Sequence, residues 1–374
     1  MIEVEKEQGQ EQIQEQAQEK KIHASRAGKV KRILLRVGLI LLETLLILVV
    51  ALYGVMFVLS KGPSPTARNL FVRSVRETSA VGFLANLFFS EEEITQMTTP
   101  QDEEEIRDTD TSLIVFAPAD KKEEGQEPQA DAWGFIDEDG DGIILDPVQG
   151  EGYHGYMMII LDPSRVFLAC KPEKFEIRGY TVAEMVKEFD AVAGINAGGF
   201  YDPGGHGNGS IPNSLVVQDG KIYYPELGTA DGFVGFDKNY ILHVGNYTVQ
   251  DIEDREIQNG VCFGPVLINN GVPRSEDSLS SGINPRSGIG QRSDGAILLL
   301  AIEGRMVTSL GATYSDMVEI FQAYGAVNAC NLDGGSSTMM WFDGDYINRC
   351  ASVVGVRRGP TSFLVLKEGV SNDG

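Results

Sequence analysis

The stretch Thr313-Tyr-Ser-Asp-Met-Val-Glu-Ile-Phe-Gln-Ala-Tyr324, followed by Val327-Asn-Ala-Cys-Asn-Leu-Asp-Gly-Gly-Ser-Ser337, decides the fold reading. Its first half opens with a capping pattern, Thr313 and Asp316 three residues apart, and keeps apolar residues at helical spacing. Its second half is a short apolar run that ends in a polar glycine turn, the mark of a buried strand leading into a loop. A second unit repeats the plan: Thr181-Val-Ala-Glu184 opens a helix to Phe189, Ala191–Asn196 reads as a strand, and Asn196-Ala-Gly-Gly-Phe200 is the turn. Between and around the two lie Asp219-Gly220, Asn270-Gly271, Asp294-Gly295 and Asp343-Gly344, pairs that supply positive φ in two-residue hairpins. The pattern predicts an α+β fold with a mixed, largely antiparallel sheet and a few packed helices.

Toward the N-terminus the apolar run Val37–Leu59, interrupted only by Glu43, exceeds the ~20 residues a helix needs to cross a bilayer. Lys20, Lys21, Arg26, Lys29, Lys31, Arg32 and Arg36 precede it, so the positive-inside rule places the N-terminus in the cytoplasm and the rest of the chain outside. The expected organisation is a disordered tail over 1–32, a transmembrane signal anchor over 33–60, juxtamembrane helices and an acidic linker over 61–130, and a catalytic-type domain over 131–374. The lipid bilayer is then a partner through residues 37–59. Residues 91–127 are dense in Asp and Glu and predict a solvated linker.

The chain carries 31 Lys+Arg against 54 Asp+Glu, a formal net charge of -23, which repels phosphate backbones and excludes nucleic acid as a partner. Four cysteines, Cys170, Cys262, Cys330 and Cys350, are irregularly spaced with no CxxC pair, which excludes a zinc ribbon and leaves disulfide pairing open. There is no GxSxG, HExxH or P-loop pattern. His154 and His243 sit among strand residues and read as structural groups. Oligomeric state is not legible.

Several segments can carry chemistry. In Asn331-Leu-Asp-Gly-Gly-Ser-Ser337 an amide, a carboxylate, two glycines and two hydroxyls meet at a strand end, where the backbone can approach a ligand closely; an Asx-turn closing the strand is the alternative. Asn196, Gly198 and Gly199 repeat the arrangement, with His206 in the glycine-rich stretch that follows. Asn284-Pro-Arg-Ser-Gly-Ile-Gly290 offers the planar donor fork of Arg286 to a phosphate or to a surface carboxylate. Ala301-Ile-Glu-Gly-Arg305 places Glu303 as an acid or base, or as the ion-pair partner of Arg305. Asp137, Asp139 and Asp141, with Gly142, resemble the start of a calcium loop, but position 12 is Val148 and the bidentate acid is missing. No cofactor is expected, and calcium there is the minor alternative.

In this order, N-A-G-G-F, N-P-R-S-G-I-G, A-I-E-G-R and N-L-D-G-G-S-S resemble the phosphodiester glycosidase family over roughly Tyr153 to Lys367. The anchor and stalk look like those of bacterial members linked to exopolysaccharide. The resemblance implies hydrolysis of sugar-1-phosphate diesters on a phosphorylated glycan of the cell envelope. It implies that Arg286 binds the phosphate and that Asp333 is the carboxylate at the reacting carbon, with Glu303 or His206 as proton-transfer partner. Asn196, Gly198, Gly199, Asn331, Gly334, Gly335, Ser336, Ser337 and Arg305 would contact substrate, the glycine turns adding N–H donors. The family commonly has Asp where this chain has Glu303, one methylene longer. Two readings of other classes compete: an envelope module that binds phosphorylated polysaccharide without cleaving it, and a calcium-stabilised structural ectodomain.

Overall fold

The computed structural model describes residues 2–78, 81–100, 104–116, 129–203, 207–228, 232–352 and 355–370. The chain forms two compact units, residues 1–68 and 69–374.

In the first unit a single helix, α1 (Ile2–Lys61), carries the apolar run. Lys31–Lys61 is long and apolar enough to cross a membrane, and the core of this segment is exposed. The backbone is helical through residues 2–32 as well, where no folded structure was expected. Glu, Gln, Lys and Ala dominate there, and these are strong helix formers even where they bury nothing.

In the second unit the segment before the sheets is structured. It contains the end of α2 (Pro65–Arg76) and α3 (Glu91–Thr98), whose cap is a complete Ser90/Glu93 box. Val72, Ala85, Phe89 and Ile94 share a small core of their own. Residues 104–116 are not a free linker: Arg107 N and Asp110 N donate to the Asn269 and Asn270 side chains at 3.0 and 2.8 Å, and Asp108 holds Arg255 at 2.6 Å. Composition alone predicted solvation because it does not show that basic and amide groups far along the chain are there to receive the carboxylates and N–H groups.

Three antiparallel sheets follow. The largest runs in the order β1 (Ile143–Gly150), β2 (Tyr153–Ile160), β13 (Ile297–Ile302), β12 (Arg286–Arg292), β14 (Ala326–Leu332), β10 (Val266–Asn269) and β11 (Val272–Pro273). The second is β16 (Asp345–Tyr346), β15 (Met340–Phe342), β4 (Ala193–Asn196), β17 (Thr361–Val365) and β3 (Val166–Cys170). The third is β6 (Lys221–Tyr223), β5 (Val216–Gln218), β9 (Ile257–Val261), β7 (Phe233–Asp237) and β8 (Leu242–Gly245).

Strand β13 shows how one run of apolar residues serves two cores. Ile297, Leu299 and Ala301 face a core shared by all three sheets, whereas Leu298, Leu300 and Ile302 pack with Met317 and Phe321 of α6 (Tyr314–Ala323). Alternation with period two is what lets an uninterrupted apolar strand be buried on both faces. On the second sheet α4 (Val182–Glu188) lays Met185 and Val186 on Phe167 and Leu364. The capping boxes of α4 and α6 form as the sequence predicts. The remaining α5 (Val249–Asp254) is a short turn on the third sheet.

Three of the four turn pairs have both residues at positive φ: Asp219/Gly220, Asn270/Gly271 and Asp343/Gly344. In Asp294-Gly295 only the glycine does, because the Asp294 carboxylate accepts from Ala296 N and binds Arg292, an Asx-type closure. All four cysteines are free thiols.

Candidate active site

The two helix–strand–turn units meet. Strands β4 and β14 end side by side, although they belong to different sheets, and Asn196 joins them. Its Nδ2 donates to the Asp333 carbonyl, while its Oδ1 accepts from Met339 N and from Ser287 Oγ, both at 3.0 Å. Asp333 N in turn donates to Ala197 O at 2.9 Å. Asn196 is therefore a clamp between turns, with both ends of its amide engaged.

The same bonds redirect two groups expected to face a ligand. Gly198 N donates to Thr361 Oγ1 at 2.9 Å and Gly335 N to Pro285 O at 2.8 Å, so these N–H groups are committed to the fold and not offered to an anion. What the glycines supply is close approach. A Cβ at Gly199 would lie 2.9 Å from Asn213 and Phe263, and one at Gly335, where φ is +62°, would lie 3.2 Å from the Arg305 guanidinium.

Asp333 lines a small cavity with Asn196, Gly198, Ser337 and Arg357. Its surroundings push its pKa up to about 7: burial is the largest cause, Asp202 adds to it, and the Ser337 hydrogen bond and the Arg357 charge oppose it. Arg357 is itself paired with Asp202 at 2.8 Å. A carboxyl that is half-ionised near neutral pH can give or take a proton there, which an ordinary aspartate cannot.

Arg286 opens β12 and is buried. Nε donates to Ala312 O at 3.0 Å, Nη2 donates to Gly282 O and Glu77, and the guanidinium lies 4.1 Å over the Tyr314 ring. A carboxylate does pair with it, inside the fold and not on the surface: the partner is Glu77 from the segment before the sheets, at 2.8 Å. Arg305 lies beside it, donating to Asn284 Oδ1 at 2.9 Å and to Thr78 Oγ1 at 2.7 Å, with its backbone at φ +59°.

Glu303 does not pair with Arg305. Its Oε1 accepts from Arg349 N at 2.7 Å and its Oε2 lies 2.9 Å from His154 Nε2. The other imidazole nitrogen, Nδ1, faces the Thr308 carbonyl at 3.2 Å. A carbonyl only accepts, so Nδ1 is assigned as the donor of that contact. His154, expected to be merely structural, is a side chain 38% exposed that faces a buried carboxylate. His243 fits the structural expectation, buried against Asp237 at 3.2 Å.

The structure thus brings together Asn196, Gly198, Asp333 and Ser337 in one place, and Arg286, Arg305, Gly334 and Gly335 in a neighbouring one: a Cβ at Gly334 would lie 2.8 Å from Pro285 O and one at Gly335 would touch Arg305. Ser336 lies in the same 3₁₀ turn as Gly335 and Ser337, and Asn331 is buried two residues before Asp333. His206 lies outside the described residues. Sequence reading missed Arg357, Tyr314, Glu77 and the role of His154. Arg357-Arg358, a basic pair before the last strand of a very acidic chain, was a signal for the first; nothing local pointed to Glu77.

Asp137, Asp139 and Asp141 have ligand atoms within 4.8 Å of one another. Their carboxylates accept backbone N–H groups of Gly140, Asp141, Gly142 and Ile143, which makes the loop self-closing.

Residues 189–366 match the model of the phosphodiester glycosidase family. The SPbeta prophage-derived uncharacterized protein YomE of Bacillus subtilis is 32% identical over 196 residues, which is 50% of this chain and 29% of that protein, so the chain spans less than a third of this relative. Among solved structures, the zebrafish N-acetylglucosamine-1-phosphodiester alpha-N-acetylglucosaminidase catalytic domain, auto-inhibited by its pro-peptide, is similar with a TM-score of 0.49 at 18% identity, covering 60% of this chain and 82% of that one. A hypothetical protein from Synechocystis is similar with a TM-score of 0.44 at 17% identity, covering 60% and 62%.

Proposed function

We propose, from the premise that residues 189–366 form a phosphodiester glycosidase domain, that the chain is a membrane-anchored extracellular hydrolase of sugar-1-phosphate diesters in cell-envelope glycans. In that reaction water attacks the anomeric carbon, the bond from that carbon to the phosphate oxygen breaks, the sugar leaves with the water's hydroxyl, and a phosphomonoester remains. The observation that carries the reading is Asp333: a carboxyl raised to about 7, set where two glycine turns converge.

Asp333 takes the proton from the attacking water or holds the carbon as charge develops there. Arg286 and Arg305 are the cations for the departing phosphate, and binding it requires that Glu77 give way. Glu303 and His154, 2.9 Å apart, are the second acid–base candidates. Anchoring rests on the exposed apolar helix Lys31–Lys61 and the basic residues before Val37. Calcium has no assigned part, and no cofactor is required by these residues.

The experiment is sugar release from a synthetic N-acetylglucosamine-1-phosphodiester by the full-length protein in detergent, beside Asp333→Asn. Release that is lost in the variant supports the reading. Absence of release, with saturable binding of phosphorylated polysaccharide that survives Asp333→Asn, would replace it with the non-catalytic module, a reading favoured by the internal pairing of Arg286.

A further inference from the structure

Four turns of the chain are built on Asp-Gly or Asn-Gly, the pairs that tight hairpins favour. The hairpin Arg305–Leu310 is not. Its Met306 and Ser309 exchange both backbone hydrogen bonds, at 2.9 and 3.2 Å, and the two residues at its tip are Val307 and Thr308. Val307 is fully exposed and Leu310 more than half exposed. A β-branched apolar side chain held in water at a hairpin tip breaks the local rule that the other turns obey, and such breaks collect at functional surfaces.

The hairpin has an apolar neighbour. Arg305 at its base donates to Thr78 Oγ1 at 2.7 Å, and Gly82 N donates to Thr78 O at 3.0 Å, so the hairpin and the 3₁₀ turn Gly82–Leu87 are fastened to the same residue. That turn leaves Phe83 and Leu87 more than half exposed. From Arg305 to Leu310 there is no acid, in a chain of net charge -23. Past Leu87, the carboxylate of Glu91 is answered by Asn86 at 2.5 Å and by Arg76 at 3.8 Å, while Glu92 is exposed and keeps that end of the surface in water. Exposed apolar side chains grouped on adjoining elements, with a polar rim, mark an interaction surface.

The chain's own course selects the occupant. The apolar span ends at Lys61 and α2 begins at Pro65. A link of three residues at ~3.5 Å each, and a helix rising ~1.5 Å per residue to Arg76, keep the start of this surface within roughly 30 Å of the end of the span. A fully exposed knob such as Val307 needs a matching hole in a folded partner, whereas fluid lipid closes around it.

We infer that Val307, Leu310, Phe83 and Leu87 form a bilayer-contact surface, through which the catalytic-type domain rests on the membrane that anchors it. The inference rests on the anchor reading above. It bears on the site as well: Thr308 O faces His154 Nδ1 at 3.2 Å and Ser309 Oγ donates to Glu303 O at 2.7 Å, so a hairpin seated among headgroups sets the Glu303–His154 pair at the membrane surface.

The test places full-length protein in nanodiscs of acyl-brominated phospholipid, beside discs of the same lipid without bromine, and compares tryptophan emission. Wild type, with Trp133 and Trp341, gives the background for Val307→Trp, Leu87→Trp and a control, Ile177→Trp, an exposed apolar position on a segment fastened instead to Asn208. Bromine quenches a ring seated in the headgroup–acyl boundary, about 5–10 Å deep, so the emission added by Val307→Trp falls about twofold. That of Leu87→Trp falls with it, and that of Ile177→Trp does not.

Added emission at 307 that bromine leaves unchanged, or that falls no more than the control, overturns the inference and leaves the anchor standing, provided the protein resists alkaline carbonate extraction from liposomes. Release by carbonate removes the anchor reading and this surface with it. Unquenched emission together with chemical crosslinks between copies that Val307→Asp abolishes assigns the surface to a second copy of the chain, and overturns the inference too.

Discussion

Glu77 and Arg286 are 209 residues apart in sequence and 2.8 Å apart in space, a carboxylate oxygen against a guanidinium nitrogen. The same carboxylate accepts from Asn284 Nδ2 at 2.8 Å and from Gly282 N at 2.7 Å, and Ser74 Oγ nearby accepts from Ile283 N at 2.9 Å. Three donors, from Gly282, Asn284 and Arg286, thus converge on one carboxylate of the segment before the sheets.

Replacing Glu77 by Ala leaves Arg286 buried with only carbonyl partners, which should cost about 1–3 kcal/mol by denaturant unfolding. If Arg286 binds the phosphate as proposed, it also removes the carboxylate that competes for it, so KM for a sugar-1-phosphodiester should fall. A stability loss with KM unchanged would make the pair purely structural and remove Arg286 from the phosphate site.

Burial pushes the carboxyl of Asp333 up to about 7 in the folded protein, from the ordinary 3.8. Between those values the folded protein binds more protons than the unfolded chain, so stability falls as pH rises from about 4 to about 7 and is flat above. Asp333→Asn should abolish turnover, remove this slope, and be more stable at pH 8 by roughly 2 kcal/mol, a figure reduced for water that reaches the carboxyl. Parallel stability–pH curves for the two proteins would contradict the burial of this carboxyl.

For the Glu303–His154 pair, His154→Gln keeps a polar group near Glu303 but removes the imidazole as a proton carrier. The expected result is a drop in kcat of about 100-fold with KM and melting temperature little changed, since general acid–base groups contribute on that order. An unchanged kcat across pH 5 to 8 would return the pair to a structural role.

Gly335→Ala tests the turn. A side chain at φ +62° costs about 1–2 kcal/mol, and its Cβ at 3.2 Å displaces the Arg305 guanidinium. The variant should fold with a lower melting temperature and lose phosphodiester turnover more than Gly344→Ala, which is also at positive φ, +87°, with open space around it.

Chelation should leave the melting temperature within about 1 °C, because the Asp137–Asp141 carboxylates are already occupied by backbone N–H groups. A rise of several degrees on adding calcium, dependent on its concentration, would instead assign the loop a structural ion.

What the sequence by itself determined is everything written in local order. The capping boxes at Thr181 and Thr313, the strands after them, the glycine turns, three of four hairpin pairs and the apolar helix are properties of a few neighbouring residues, and local physics fixes them. Local propensity also made residues 2–32 helical where hydrophobic content had argued against folding. Only the tertiary structure decided that Asn196 clamps the turn of Asp333, that Glu77 pairs with Arg286, that residues 104–116 fasten to the domain, and that Glu303 faces His154 instead of Arg305. Those are pairings between charges and amides tens to hundreds of residues apart. One-dimensional pattern shows that such groups exist, whereas their partners and their desolvation are set by which sheet edges the chain brings together.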